Sequence, residues 1–210
     1  MVYRPVLQWP YPALKKISEP VTEFGDELCS LVKDMTDTLN VKMGVGLAAC
    51  QIGTNKRVVI LNCESLDFKN PDPSVPDSRM WVLINPEIEL RGDDITWREA
   101  CLSVPFFGGD VVRKSEVSLS YQDVTGNTKS CNTTWPMSGC LQHECDHLDG
   151  ILFIDRMSRR AAAEIRRKIA RRRQKNIKAV KKLRRRLRPE KVPLDTRMSH
   201  GPGKRKKKKK

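Results

Sequence analysis

Apolar positions recur at helical spacing along residues 24–40, where Leu28, Leu31, Val32, Met35 and Leu39 share one face and predict a helix. Three shorter runs have the character of strands: Arg57–Leu61, Trp81–Ile84 and Glu116–Tyr121. In the last of them Val117, Leu119 and Tyr121 alternate with serines, the pattern of a sheet with one buried face. The stretch Asn70–Ser78 holds three prolines and predicts an exposed loop, and Gly126-Asn127 marks a turn. Pro136 and Gly150 frame a second helix, the proline near its start and the glycine past its end. From Ser158, an expected N-cap, to about Arg188 a longer helical pattern follows, with Ile165, Ile169, Val180, Leu183 and Leu187 on one stripe. Arg172, Arg173 and Asn176 interrupt that stripe, so its first part is expected to dock on the preceding domain and its second to extend outward. No internal repeat is present. The order is that of an α+β protein: a compact single domain over residues 1–157, with antiparallel or mixed strands around the helix that begins near Pro136. A basic amphipathic helix over 158–188 and a disordered, lysine-rich tail over 189–210 complete the chain.

Charge reinforces this division. Residues 158–210 carry 25 Lys and Arg against 3 acidic residues, a net of +22, so the chain total of +15 leaves −7 to residues 1–157. The basicity belongs to the tail, where phosphate contact by Lys and Arg gives strong, sequence-independent and salt-sensitive affinity for RNA. Membrane-surface binding by the same helix is disfavoured, since its apolar stripe is narrow and lacks aromatic anchors.

The second helix contains Gln142-His143-Glu144-Cys145-Asp146-His147, an H-E-x-x-H sequence that uses two of the three histidines in the chain. Residues four apart on a helix stack on one face, so His143 and His147 can aim ring nitrogens at one point while Glu144 stands beside them as a base. Two solvated histidines on a surface helix would give the same letters, so the rest of the chain must supply further ligands. A third histidine in the metzincin manner is excluded because Phe153 occupies its place. Glu164, a later carboxylate in the gluzincin manner, lies among arginines, and His200 lies in a Gly, Pro and Lys-rich tail without a rigid scaffold. Cys101, in Glu99-Ala100-Cys101-Leu102-Ser103, is the remaining candidate; as a thiolate it would complete a Cys-His-His set with one position open. The seven cysteines are odd in number and form no C-x-x-C pair. With no apolar leader and no apolar run near ~20 residues, they point to a reduced setting rather than to secretion.

A third segment, Gly44-Val45-Gly46-Leu47-Ala48-Ala49-Cys50-Gln51, places two glycines before a side-chain amide donor. Alone it would be a Gly-rich turn entering a packing surface. Taken in order, G-x-G-L-A-A-x-Q, E-x-C-L-S and Q-H-E-x-D-H-L-x-G resemble the motifs of the peptide deformylase family, and the likeness spans most of residues 5–157. It fits a divergent or viral-type member with an extended basic tail.

The resemblance implies hydrolysis of the formyl group from the amino-terminal formyl-methionine of nascent polypeptides, releasing formate. It implies one divalent metal on Cys101, His143 and His147, Fe²⁺ in the cell with Zn²⁺, Ni²⁺ or Co²⁺ as substitutes. Glu144 is then the expected base, and the Gln51 amide and the Leu102 backbone N–H the expected donors to the formyl oxygen. Val45 and Cys140 are expected to line the methionine pocket, with backbone near Gly46 and Glu99 pairing with the peptide. The implied setting is a cytoplasmic or organellar compartment with formyl-methionine translation, a monomer, and ribosome contact through the basic tail. Two departures stand out: Ala100 occupies a position usually held by glycine, and the loop Phe106-Phe107-Gly108-Gly109 carries no basic residue. A general metallo-endopeptidase and an RNA-binding protein on an inactive domain are the rival readings; the thiolate ligand and the Gly-rich motif argue against the first, and the intact Cys101, His143, Glu144, His147 and Gln51 against the second.

Overall fold

In the computed structural model, residues 3–66 and 79–186 are described. Five strands form one antiparallel sheet in chain order: β1 (Gly46–Ala48), β2 (Val58–Asn62), β3 (Met80–Ala100), β4 (Gly108–Gln122) and β5 (Thr128–Thr134). Three helices of more than one turn accompany it: α1 (Asp26–Lys42), α2 (Met137–Leu148) and, after the single turn α3 (Phe153–Arg156), α4 (Arg159–Arg186). The chain divides into two compact units, one ending at Arg166 and the other beginning at Arg167.

The uninterrupted apolar run of β2 follows from its position, because the sheet is covered on both faces there. Val58 and Ile60 pack with Leu28, Leu31, Met35 and Leu39 of α1, while Val59 and Leu61 pack with Met137, Leu141 and Leu148 of α2. In β4 only one face enters this core. Val117, Leu119 and Tyr121 are buried with α2, and the intervening serines remain half-exposed. Burying such side chains stabilises by roughly 25 cal/mol per Å² of apolar surface removed from water.

The strands extend well beyond the apolar runs that announce them. Trp81–Ile84 is only the buried start of β3, which continues through charged, exposed positions to Ala100. Those positions are held by backbone pairing with β4, broken by register shifts between Ile84 and Glu87 and between Arg91 and Asp94. β5, with sequence TKSCNTT, is polar and mostly exposed, and β1 lies within the Gly-rich segment; neither has an apolar alternation to betray it. The proline-rich stretch Asn70–Ser78 and everything after Arg186, including Leu187 and the lysine run, lie outside the described residues.

All twelve residues of α2 are buried. Two of its polar side chains are satisfied by strand backbone: Gln142 accepts from Lys114 N–H at 3.0 Å and donates to Lys114 C=O at 2.8 Å, and Ser138 Oγ donates to Ser115 C=O at 2.8 Å. Past its end Gly150 takes φ +69°, where an added Cβ would stand 2.6 Å from the Lys15 carbonyl oxygen, so only glycine fits the exit. Ser158 caps α4 through Oγ to Ala161 N–H at 3.4 Å, and Ala162 and Ile165 are buried within the first unit. Further along, Ile177, Val180 and Leu183 are about half-exposed.

Candidate active site

Two structural devices bring the metal-ligand candidates together. The i, i+4 spacing on α2 sets the His143 and His147 rings 5.1 Å apart between centroids. Cys101, one residue past the end of β3, meets them from the sheet, and its sulfur lies 3.2 Å from His147 Nε2. One ligand atom from each of Cys101, His143 and His147 lies within 4.8 Å of the others, and all three residues are buried. His143 Nδ1 is 2.7 Å from Glu99 Oε2, which leaves Nε2 for the shared point, the arrangement by which a carboxylate orients a metal-ligating imidazole. Glu164, another candidate, is exposed on α4 and does not join them; His200 lies outside the described residues.

The electrostatics fit a cation. Burial opposes charge on His143, yet hydrogen bonding to Cys101 and Glu99 outweighs it and holds the imidazole well above its usual pKa. Burial and the neighbouring His143 push His147 well below it, so the two imidazoles are driven in opposite directions. Sulfur with two imidazole nitrogens suits a borderline-soft transition ion, and the residues therefore fit a single divalent metal.

Glu144 sits against the Gly-rich segment. A Cβ on Gly46 would stand 2.5 Å from Glu144 Oε1, so this glycine is what lets the carboxylate reach the site. Glu144 Oε2 is buried without a hydrogen-bond partner. Burial pushes the carboxyl up to about 7, close to what a general base at neutral pH needs. Gln51 is fixed at both ends of its amide: Oε1 accepts from Ala48 N–H at 2.8 Å, and Nε2 donates to Ser103 Oγ at 3.1 Å and reaches Cys101 Sγ at 3.6 Å.

These groups border a cavity of about 820 Å³ that is also lined by Val45, Leu102 and Cys140. Ala100 lines it too. Its backbone is extended and paired with Gly108, it is not among the positive-φ residues, and it is exposed. Alanine is therefore accommodated at this position without the strain of a positive φ.

From the sequence only a backbone role is expected of Glu99, and none of Arg113, Asp146 or Trp97. The Glu99 side chain is buried; it accepts from Arg113 Nε at 2.7 Å, from Arg113 Nη2 at 3.1 Å and from Trp97 Nε1 at 3.1 Å. Arg113 also donates to Asp146 at 2.6 Å, and Arg156 closes the other side of Asp146 at 2.6 Å. Burial alone would raise the Glu99 carboxyl, but the His143 and Arg113 hydrogen bonds outweigh it and hold it at about 2. A signal did exist, because Arg113 shares the inward parity of Val111, Val117, Leu119 and Tyr121, and a cation at a buried strand position demands an anion.

Replacing Arg113 with methionine should cost about 3–5 kcal/mol, since it leaves Glu99 buried without its main counter-charge. Urea denaturation at neutral pH checks this, and an unchanged midpoint would show the network to be energetically idle. The folded Glu99 carboxyl titrates below the unfolded one, so its contribution is complete above about 4.5 and is lost as pH falls through about 2.

Comparison with known proteins agrees with this geometry. The family profile described as Polypeptide deformylase matches residues 3–163. A peptide deformylase of Erythrobacter litoralis is 40% identical over 179 residues, covering 76% of this chain and 91% of the relative. One from Wolinella succinogenes is 42% identical over 156 residues, covering 73% and 88%. Among solved structures, a peptide deformylase from Legionella pneumophila superposes with a TM-score of 0.72 at 33% identity, covering 84% of this chain and 98% of that one. The enzyme from Synechococcus elongatus in complex with actinonin gives 0.70 at 32% identity, covering 80% and 88%.

Proposed function

Since this chain belongs to the polypeptide deformylase family and removes the formyl group from the amino-terminal methionine of nascent peptides, we propose that Cys101, His143 and His147 hold its metal and that Glu144 is its base. It is a metal-dependent hydrolase with one divalent ion, and formyl-methionyl peptides are its substrates. When bound, the ion supplies the Lewis acidity that acidifies a water and polarises the formyl carbonyl. The observation that carries the assignment is the convergence of a buried sulfur and two ring nitrogens within 4.8 Å of one another.

Each remaining residue then has a task. Glu144 takes a proton from the attacking water and delivers it to the departing amine, so that the formyl C–N bond is exchanged for formate and a free amino terminus. The Gln51 amide and the Leu102 N–H donate to the formyl oxygen as negative charge grows on it, each worth on the order of 3 kcal/mol. Glu99 keeps His143 oriented, with Arg113 holding Glu99 in turn. Val45 and Cys140 line the pocket for the methionine side chain. The peptide adds as a strand between the backbone near Gly46 and the edge of β3 at Glu99. That edge is available: β2 pairs only with Met80–Ile84, and beyond Glu87 β3 has β4 on one side and no other strand among the described residues.

Fe²⁺ is the ion proposed for the cell, with Zn²⁺, Ni²⁺ or Co²⁺ as substitutes, and the working form is a monomer in a compartment where translation begins with formyl-methionine. No helix among the described residues is long and apolar enough to cross a membrane. Formate release from formyl-methionyl peptides, measured on anaerobically purified protein alongside elemental analysis, tests the assignment. Metal-replete protein with an intact Cys101 and no turnover would overturn it.

The basic tail is proposed to hold the enzyme at the ribosome through rRNA phosphates. Its support is the net +22 of residues 158–210 against −7 for the rest, together with the exposed arginines and lysines of α4. A cut after Asn176 removes +14 of that charge. Such protein should hydrolyse short formyl peptides at the parent rate while co-sedimenting with ribosomes far more weakly. Binding of the full chain should fall steeply between ~50 and ~200 mM salt. Equal co-sedimentation of cut and intact protein at one ionic strength would leave the outer tail without this role.

A further inference from the structure

We propose that the mouth of the catalytic cavity selects formyl-methionyl peptides with an acidic side chain on the residue that follows the methionine, through Arg98 and Lys42. The inference rests on the peptide lying along the edge of β3 as assigned above.

Among the described residues, and apart from the buried groups of the site itself, His143, Glu144 and Glu99, the charged residues lining the cavity are Arg98 and Lys42. Both are cations, although residues 1–157 carry a net −7, so the sign at the mouth opposes that of the domain around it. The Arg98 side chain is 73% exposed, and its acidic neighbour Asp110 is 4.0 Å away and 70% exposed, too far for a hydrogen bond. An ion pair of that kind holds neither partner strongly. Lys42 is exposed at the end of α1, with its ammonium over the Tyr3 ring at 5.2 Å, which fixes a flexible cation beside the opening. Met43 and Phe106, which also line the cavity, are 91% and 76% exposed.

Spacing and face together set the position that is read. Arg98 precedes Cys101 by three residues along extended chain, roughly 10 Å at strand rise. Side chains alternate in face along an added strand, so with the methionine turned to the buried side of Glu99 the next side chain shares the outer face of Ala100 and Arg98. The guanidinium offers a carboxylate two parallel donors, and a lysine at the same place meets like charge.

The test uses the full-length, Ni²⁺-loaded protein and three peptide amides, formyl-Met-Asp-Ala, formyl-Met-Ala-Ala and formyl-Met-Lys-Ala, so that no terminal carboxylate contributes. At low ionic strength kcat/KM should fall in that order, with an Asp to Lys ratio of roughly tenfold that approaches one at ~0.5 M salt. The difference should reside in KM, because the contact is made equally before and during reaction. Arg98→Glu should invert the ratio, and Lys42→Glu should move it the same way by less, each judged against the neutral peptide turned over by the same variant. Formate from the neutral peptide with an Asp to Lys ratio within twofold of one would overturn this selectivity and leave the catalytic assignment standing. So would a ratio unchanged when Arg98→Glu and Lys42→Glu are combined in one protein. No formate from any of the three peptides would overturn both.

Discussion

Glu144→Gln is expected to retain the metal of the parent protein and to lose about 10²- to 10⁴-fold in kcat, the usual worth of a positioned acid–base group. The substitution keeps the shape that fits against Gly46, where an added Cβ would lie 2.5 Å from Glu144 Oε1. What it removes is proton acceptance by an oxygen that has no other partner in the fold, since Glu144 Oε2 is buried without a hydrogen bond. The pH profile adds a second reading. Burial raises the Glu144 carboxyl to about 7, and a nearby divalent cation lowers it again, so activity of the parent should rise with pH through a limb at or below about 7. The base works only when deprotonated, and the glutamine variant should lack that limb. Near-parent turnover in Glu144→Gln, with metal content confirmed by elemental analysis, would remove Glu144 from the reaction.

Cys101→Ala should abolish stoichiometric metal binding and activity together. The loss should exceed the roughly 10- to 100-fold that removal of an outer hydrogen-bond partner costs a metal site. Cys101 is set apart from the other buried thiols by its surroundings. Ser103 N–H donates to its sulfur at 3.4 Å, Gln51 Nε2 approaches at 3.6 Å and His147 Nε2 lies 3.2 Å away. Burial pushes Cys50, Cys140 and Cys145 up to about 12 and Cys63 to about 11, so these remain protonated at neutral pH and make poor ligands. Single replacement of those four should leave metal stoichiometry unchanged. Full metal content in Cys101→Ala, or its loss from any of the four, would show that the thiolate ligand has been misassigned.

The elements and chemistry that follow from local rules were legible without coordinates. Helical spacing determines that His143 and His147 face one point, and the apolar stripe of Leu28, Leu31, Met35 and Leu39 determines which side of α1 is buried, because both depend only on a 3.6-residue repeat. The parity of Val117, Leu119 and Tyr121 likewise names the inner face of β4. Three ordered motifs carried the ligand set and the base, since each places a chemically necessary residue among neighbours close in sequence. Tertiary structure alone decided what depends on partners distant along the chain. The outer half of β3 and all of β5 are polar segments held by backbone pairing, which leaves no apolar pattern to read. The role of the Glu99 side chain depends on Arg113 and Asp146, 14 and 47 residues further on, whose charges can share a buried site only because the β3–β4 pairing brings one against α2. The cationic mouth arises in the same way, from the end of α1 and the edge of β3, where Lys42 and Arg98 come to flank one opening although 56 residues of chain separate them.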